Sequence, residues 1–288
     1  MVICILRNPK RHQKEIHKGF RGYIKKDMDL DEAVYLYLLN KGINVEYRSI
    51  DYVLKNNNKY SIVYTGSTYY GFGDLATMVS KKRLEDISDK LSRIKNLVPS
   101  LKYMKMIGDK CNYYNAFKKY MANTLCSDNI KTLDRNKEYF IKPAMSAFSR
   151  NVYHKKKGEI FDGSLFKKGR RMMVQEYRKF ATQSNPEFRC YFVYNKFGYC
   201  VATKGGGDTV RYVRLLPVGL KLFCNKIMKR IIKLENRIVL YRIDCYKWKN
   251  KWYVNEIEGL PGIINEDLSR VKFELDRMIG ERLIELSK

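Results

Sequence analysis

Three carboxylates in the last fifty residues of the chain are spaced so that they could hold a metal ion. The sequence reads YRIDCY at 241–246 and WYVNEIEGLPG at 252–262. As strands, alternation places Arg242, Asp244 and Tyr246 on one face of the first segment, and Glu256 and Glu258 on one face of the second. Pairing as a hairpin across the intervening KWKN turn brings Asp244, Glu256 and Glu258 to one place. Clustered carboxylates repel, so a cation is expected among them. Mg2+ takes oxygen ligands and commonly bridges carboxylates to substrate phosphates, which suits this set. The competing reading is a solvated edge hairpin whose acids balance nearby lysines. The chain has 57 Lys+Arg against 30 Asp+Glu, a formal charge of +27, so a concentrated acidic spot is informative.

The elements that must position these acids are legible in part. Residues 2–6 (VICIL) read as a buried strand. Residues 29–41 read as a helix opened by an Asp29/Glu32 capping box and stopped by Gly42. Ile43, Val45 and Tyr47 alternate as a strand, and KYSIVYTG (59–66) is another. Leu84, Ile87, Leu91 and Ile94 recur at helical spacing, with Pro99 closing that element. A further helical piece covers 109–122. Strands then dominate: EYFIKP (138–143), RMMVQEY (171–177), FRCYFVY (188–194) and YCVATK (199–204). After Pro217, Leu220, Cys224, Ile227, Ile231 and Leu234 form an amphipathic helix, and a last helix carries Leu268, Val271, Leu275, Met278 and Ile279 on one face. The expected architecture is mixed α/β (α+β): a small N-terminal α/β domain at 1–101, then a second, larger domain at 102–288.

With 288 residues, 45% of them apolar, a sizeable core is available. No run is long enough to span a bilayer, and the start of the chain reads as a first strand, so a cytoplasmic protein without a membrane partner is expected. The seven cysteines are an odd number at wide spacing with no CxxC, and are expected to be reduced thiols without a zinc site. His12, His17 and His154 lie in basic, polar stretches, and none is expected to be a catalytic base. The basic excess suits an anionic or acidic partner, although a chain rich in Lys, Asn, Ile and Tyr also acquires charge by composition alone.

The pattern R-I-D at 242–244 followed by E-I-E-G-L-P-G at 256–262 resembles the ATP-grasp superfamily, with Glu258 where that family usually has Asn. The resemblance runs over roughly 180 residues. IKPAMSAFSRNV (141–152) is similar to the family's Lys-Pro strand and phosphate loop, which implies Lys142 on the α- and β-phosphates and Ser146 and Ser149 as donors, although the family's glycines are replaced by Ala147 and Asn151. MMVQEY (172–177) is similar to the strand along adenine, implying base contacts from the backbone of Gln175, Glu176 and Tyr177. PEFRCYFV implies ribose binding by Glu187 and a structural or phosphate-side Arg189. The Asp109-Lys110 pair implies a second phosphate lysine, and Lys204 a later one.

The resemblance implies ATP and Mg2+ as cofactors and two subdomains, a lid at 102–175 and a C-terminal part at 176–288, with the nucleotide between two antiparallel sheets. It implies a ligase that activates a carboxylate as an acyl phosphate and joins it to an amine, with Arg242 stabilising the oxyanion. The glycines of KGGGDTVRYVR (204–214) would let backbone approach a ligand, and Arg211 and Arg214 would hold an anionic substrate; a surface hairpin with solvated arginines is the alternative. The basic run 154–171 would bind an acidic peptide or protein tail, or simply be solvated. Two other functions fit: a kinase of the same superfamily acting on a polyphosphorylated small molecule such as an inositol phosphate, and a non-catalytic nucleic-acid-binding protein. No nucleic-acid-binding motif is recognisable, so the latter is not favoured.

Overall fold

The computed structural model describes residues 1–6, 30–66, 80–145, 152–163, 171–180, 182, 184–204, 209–259 and 269–288. Three sheets organise them. The first is parallel, in the order β2-β1-β3-β4, from β1 (Ile3–Leu6), β2 (Val45–Arg48), β3 (Ile62–Tyr64) and β4 (Leu97–Val98). Parallel strands need crossovers, and α1 (Leu30–Asn40), α2 (Ile50–Lys55) and α3 (Lys81–Ser92) lie in them. Helix α1 ends as the sequence predicts. Gly42 takes φ +71°, and the Ile43 and Gly42 N–H groups donate to the Leu38 and Leu39 carbonyls, a Schellman closure.

The other two sheets are antiparallel, as expected. One, in the order β5-β8-β6-β7, contains β5 (Thr124–Ser127), β6 (Tyr139–Pro143), β7 (Tyr153–Lys155) and β8 (Met172–Glu176). The second, in the order β11-β10-β9-β12-β13, contains β9 (Glu187–Val193), β10 (Lys196–Lys204), β11 (Thr209–Tyr212), β12 (Leu240–Trp248) and β13 (Lys251–Glu258). The helices α4 (Leu101–Gly108) and α5 (Lys110–Phe117) precede the former, while α6 (Val218–Leu234) and α7 (Ser269–Ser287) belong with the latter.

Helix α7 joins the parts. Its Leu275, Ile279 and Leu283 share one core with Ile3, Val34 and Leu38 and with Tyr191 and Val201 of the five-stranded sheet. Gly280 permits this approach, because a Cβ there would collide with the Tyr37 ring on α1. Among the described residues, no helix is long and apolar enough to cross a membrane.

Several expectations need correction. The helix assigned up to Pro99 ends at Ser92, and Leu97–Val98 instead pair with Val63 and Tyr64 of β3. The helical piece at 109–122 starts at Lys110, because extended Asp109 caps it by accepting from the Cys111 and Asn112 N–H groups at 2.8 and 3.2 Å. Residues 209–212 form an edge strand antiparallel to β10, as in the alternative reading of this segment as a surface hairpin. Cys111 and Cys126 form a disulfide, so these two are not reduced thiols; it ties α5 to β5. The five free cysteines are all buried. Lys155, read as part of a solvated basic face, is buried, with its ammonium on the carbonyls of Asp134, Lys137 and Lys156.

Candidate active site

Strand register brings the site together. Arg242 lies opposite Glu258 and Asp244 opposite Glu256 across β12 and β13. On the other side of β12, Arg242 lies opposite Tyr191 and Asp244 opposite Arg189 of β9. The two strands turn through Lys249 and Asn250, both at positive φ (46° and 62°), the backbone of a tight two-residue hairpin. A β-bulge follows Asp244: the pairing steps from Glu256 to Val254, leaving Asn255 as the extra residue. One carboxylate oxygen from each of Asp244, Glu256 and Glu258 lies within 4.8 Å of the others. An all-oxygen donor set at that separation fits Mg2+.

The acids are also balanced by cations of the chain itself. Lys110 Nζ lies 3.0 Å from Glu256 Oε1. Arg242 donates from Nε and Nη2 to the two oxygens of Asp244 at 2.6 and 2.8 Å, and its Nη2 lies 2.8 Å from Glu258 Oε1. Arg189 Nε lies 3.1 Å from Glu187 and 3.9 Å from Asp244. The expectation that these carboxylates need an added cation is therefore too strong, since the neighbouring guanidinium and ammonium groups already relieve their repulsion. Arg242 is a clamp on two of the three acids.

These contacts set the protonation states. Burial pushes Asp244 up to about 6, against the pull of Arg242. Burial also acts to raise Glu256, but the charges of Lys110 and Lys142 prevail and hold it at about 2. Burial lowers Lys142, with the like charge of Lys110 adding to it and Glu256 opposing. Behind the acids the buried Tyr113 hydroxyl is raised well above its usual range, first by burial and then by Glu256, Glu258 and Asp244.

On the four-stranded sheet, Lys142 lies opposite Met173 and Gln175 opposite Phe140, so Lys142 and Gln175 share a face. The buried Gln175 amide donates to Thr124 Oγ1 at 3.3 Å. Glu176 holds Lys137 and Asn123 with its side chain. The expected use of backbone N–H groups here is corrected in part: those of Glu176 and Tyr177 already donate to the Asn123 and Glu138 carbonyls at 2.9 Å. Tyr177 packs its ring against Phe140 and His154.

Glu187 is buried, accepting from Asn255 Nδ2 at 2.6 Å, Arg189 Nε at 3.1 Å and Thr203 Oγ1 at 3.3 Å. Thr203 therefore marks the acid-bearing face of β10. Lys204 is the next residue, and Arg211 lies opposite Ala202; alternation turns both to the opposite face, against expectation. Arg214 is exposed in the segment leading into α6. Ser146 and Ser149 lie outside the described residues, as do Leu260–Gly262. Asn255 and Tyr113 escaped the sequence reading. The N-x at the start of N-E-I-E gave no sign of a bulge, and Tyr113 reads as an ordinary helix residue.

No protein-family model and no curated protein matches the sequence. Solved structures match its fold over nearly the whole length of both chains. D-alanine–D-alanine ligase from Bacillus anthracis complexed with ATP superposes with a TM-score of 0.62 at 13% identity, over 100% of this chain and 97% of that one. D-cycloserine synthetase DcsG gives 0.62 at 12%, over 98% and 100%. The ATP-grasp ligase PsnB complexed with its minimal precursor gives 0.63 at 10%, over 100% and 98%. The three-sheet frame of the described residues is therefore the fold these three proteins share.

Proposed function

We propose that this chain is a Mg2+- and ATP-dependent ligase that joins a carboxylate to an amine through an acyl phosphate, on an anionic or acidic substrate such as a peptide or protein tail. The observation that carries this reading is a single cluster in which buried Asp244 and half-buried Glu256 and Glu258 meet Lys110 and Arg242, within electrostatic reach of Lys142. Neighbours of the same fold are complexed with ATP, or with Mg and ADP.

In this reading Asp244, Glu256 and Glu258 would hold Mg2+, which would supply positive charge against the phosphates. Lys110 rests on Glu256 and would offer its ammonium to the phosphates. Lys142 supplies a second point charge. Asn255, Thr203 and Arg189 hold Glu187 for the ribose hydroxyls. The substrate carboxylate attacks the γ-phosphorus and ADP leaves. The amine then attacks the acyl carbon, Arg242 stabilises the oxyanion from the orientation Asp244 imposes, and phosphate and a proton depart.

A screen of candidate acids and amines tests this. ADP and free phosphate should appear in equal amounts, and only with both acid and amine present. Phosphate retained on the product would instead identify a kinase of a polyphosphorylated small molecule. Salt-sensitive oligonucleotide binding without ATP turnover, unchanged in Asp244→Asn, would identify a nucleic-acid binder.

A further inference from the structure

The back of the five-stranded sheet carries a surface the ligase reading does not use. Helix α6 buries Leu220, Cys224, Ile227 and Ile231 against the sheet face that holds Cys190, Cys200 and Cys245. That face is opposite the one bearing Asp244 and Glu187, because successive strand residues alternate. The outer stripe of α6 is divided. Val218 and Leu222 occupy its first half at 76% and 59% exposure, and Leu215, just before the helix, is 88% exposed. Lys226, Lys229 and Lys233 continue the same stripe and are all exposed. The helix holds Lys221 and Arg230 as well, and no acid. Among the described residues, none of its four lysines forms an ion pair. Arg230 is engaged with the Ala116 carbonyl and lies over the Phe117 ring.

We propose that this outer stripe binds the surface of an anionic phospholipid bilayer. The argument rests on charge complementarity and shape. A helix face with several cations and no acid matches a continuous anionic plane. Apolar side chains exposed this fully project from the molecule, and beside a row of lysines they enter the boundary between headgroups and acyl chains while the ammonium groups stay at phosphate depth. Because the sheet lies between this stripe and the acid cluster, bound chain would keep that cluster turned away from the bilayer.

The test is co-sedimentation of the full chain with vesicles of phosphatidylcholine alone or with added phosphatidylserine, at low and high salt. The expected result is binding that needs phosphatidylserine, weakens with salt and falls about tenfold in Leu215→Ser/Val218→Ser/Leu222→Ser, a variant that keeps every charge. Lys226→Gln/Lys229→Gln/Lys233→Gln should weaken binding without the apolar change. Circular dichroism and ATP turnover of both variants should match the parent, separating this proposal from the ligase reading. Undiminished binding by the apolar variant would overturn it, leaving only diffuse attraction by the overall charge. So would a lack of binding to either vesicle. Binding to polyglutamate with the same dependence on both variants would identify an acidic protein as the partner and also overturn it.

Discussion

Lys110, the first residue of α5, places its ammonium 3.0 Å from Glu256 Oε1 on β13, so a buried cation from before the antiparallel four-stranded sheet meets a half-buried acid from the five-stranded one. Lys110 and Lys142 keep Glu256 ionised despite its burial, which readies it as a metal ligand at neutral pH. Glu256→Gln should therefore lower ATP turnover by at least about a hundredfold, roughly 2.7 kcal/mol in the barrier, while circular dichroism stays that of the parent. Full activity in this variant would refute the metal assignment.

Asn255 points to a different effect. It stands in the β-bulge and donates to Glu187 at 2.6 Å. Asn255→Ala leaves Glu187 with Arg189 and Thr203 but removes one of its three donors. The KM for ATP should rise about three- to tenfold with kcat changed less than twofold, as befits loss of one hydrogen bond to a charged group. A fall in kcat at unchanged KM would contradict a role in placing the ribose.

Asp244 makes metal binding depend on pH. With its folded pKa raised to about 6, it is mostly ionised at pH 7 and increasingly protonated below 6. A proton on Asp244 competes with Mg2+. The Mg2+ concentration for half-maximal turnover should rise as pH falls through 6, approaching tenfold per unit below it, and stay level above pH 7. A flat Mg2+ requirement from pH 5 to 8 would argue against Asp244 as a ligand.

Asp276 bears on stability alone. It is buried on α7, where burial raises it to about 6 against the Arg277 N–H. The folded chain therefore binds a proton that the unfolded chain has released between about pH 4 and 6. This stability is present at pH 4 and lost as pH rises through 6. Asp276→Asn keeps an oxygen acceptor without the charge, and should stabilise the fold at pH 7 by about 1–2 kcal/mol. Thermal unfolding at pH 4 and 7 would show the gain only at the higher value; an equal gain at both would place the cause elsewhere.

The Cys111–Cys126 disulfide closes a loop of sequence separation 15. Reduction, or Cys126→Ser, should cost about 3 kcal/mol in urea unfolding, from the unfolded chain's regained freedom. Unchanged midpoints with and without reductant would mean the link adds nothing.

The chain order of the site could be read before any coordinates because it rests on short-range periodicity. Alternation in YRIDCY and NEIE puts acids on single strand faces, and a two-residue hairpin can align them in few ways. Helical spacing in the same way marked Leu220, Cys224, Ile227 and Ile231 of α6 and Leu275 and Ile279 of α7 as buried, whereas Leu234, expected on the same face of α6, is exposed because it stands at the last turn of the helix. Three-dimensional contact decided the rest. Which cations neutralise Glu256 depends on Lys110, distant in sequence and brought near by sheet packing. The faces of Lys204 and Arg211 follow from the register of β10 with β9 and β11, and a shift of one residue reverses a side chain. The pairing of Cys111 with Cys126 and the bulge at Asn255 likewise depend on neighbours that local sequence does not specify. Periodicity told which side of α6 is buried; only the folded chain showed that nothing among the described residues neutralises the lysines on its other side.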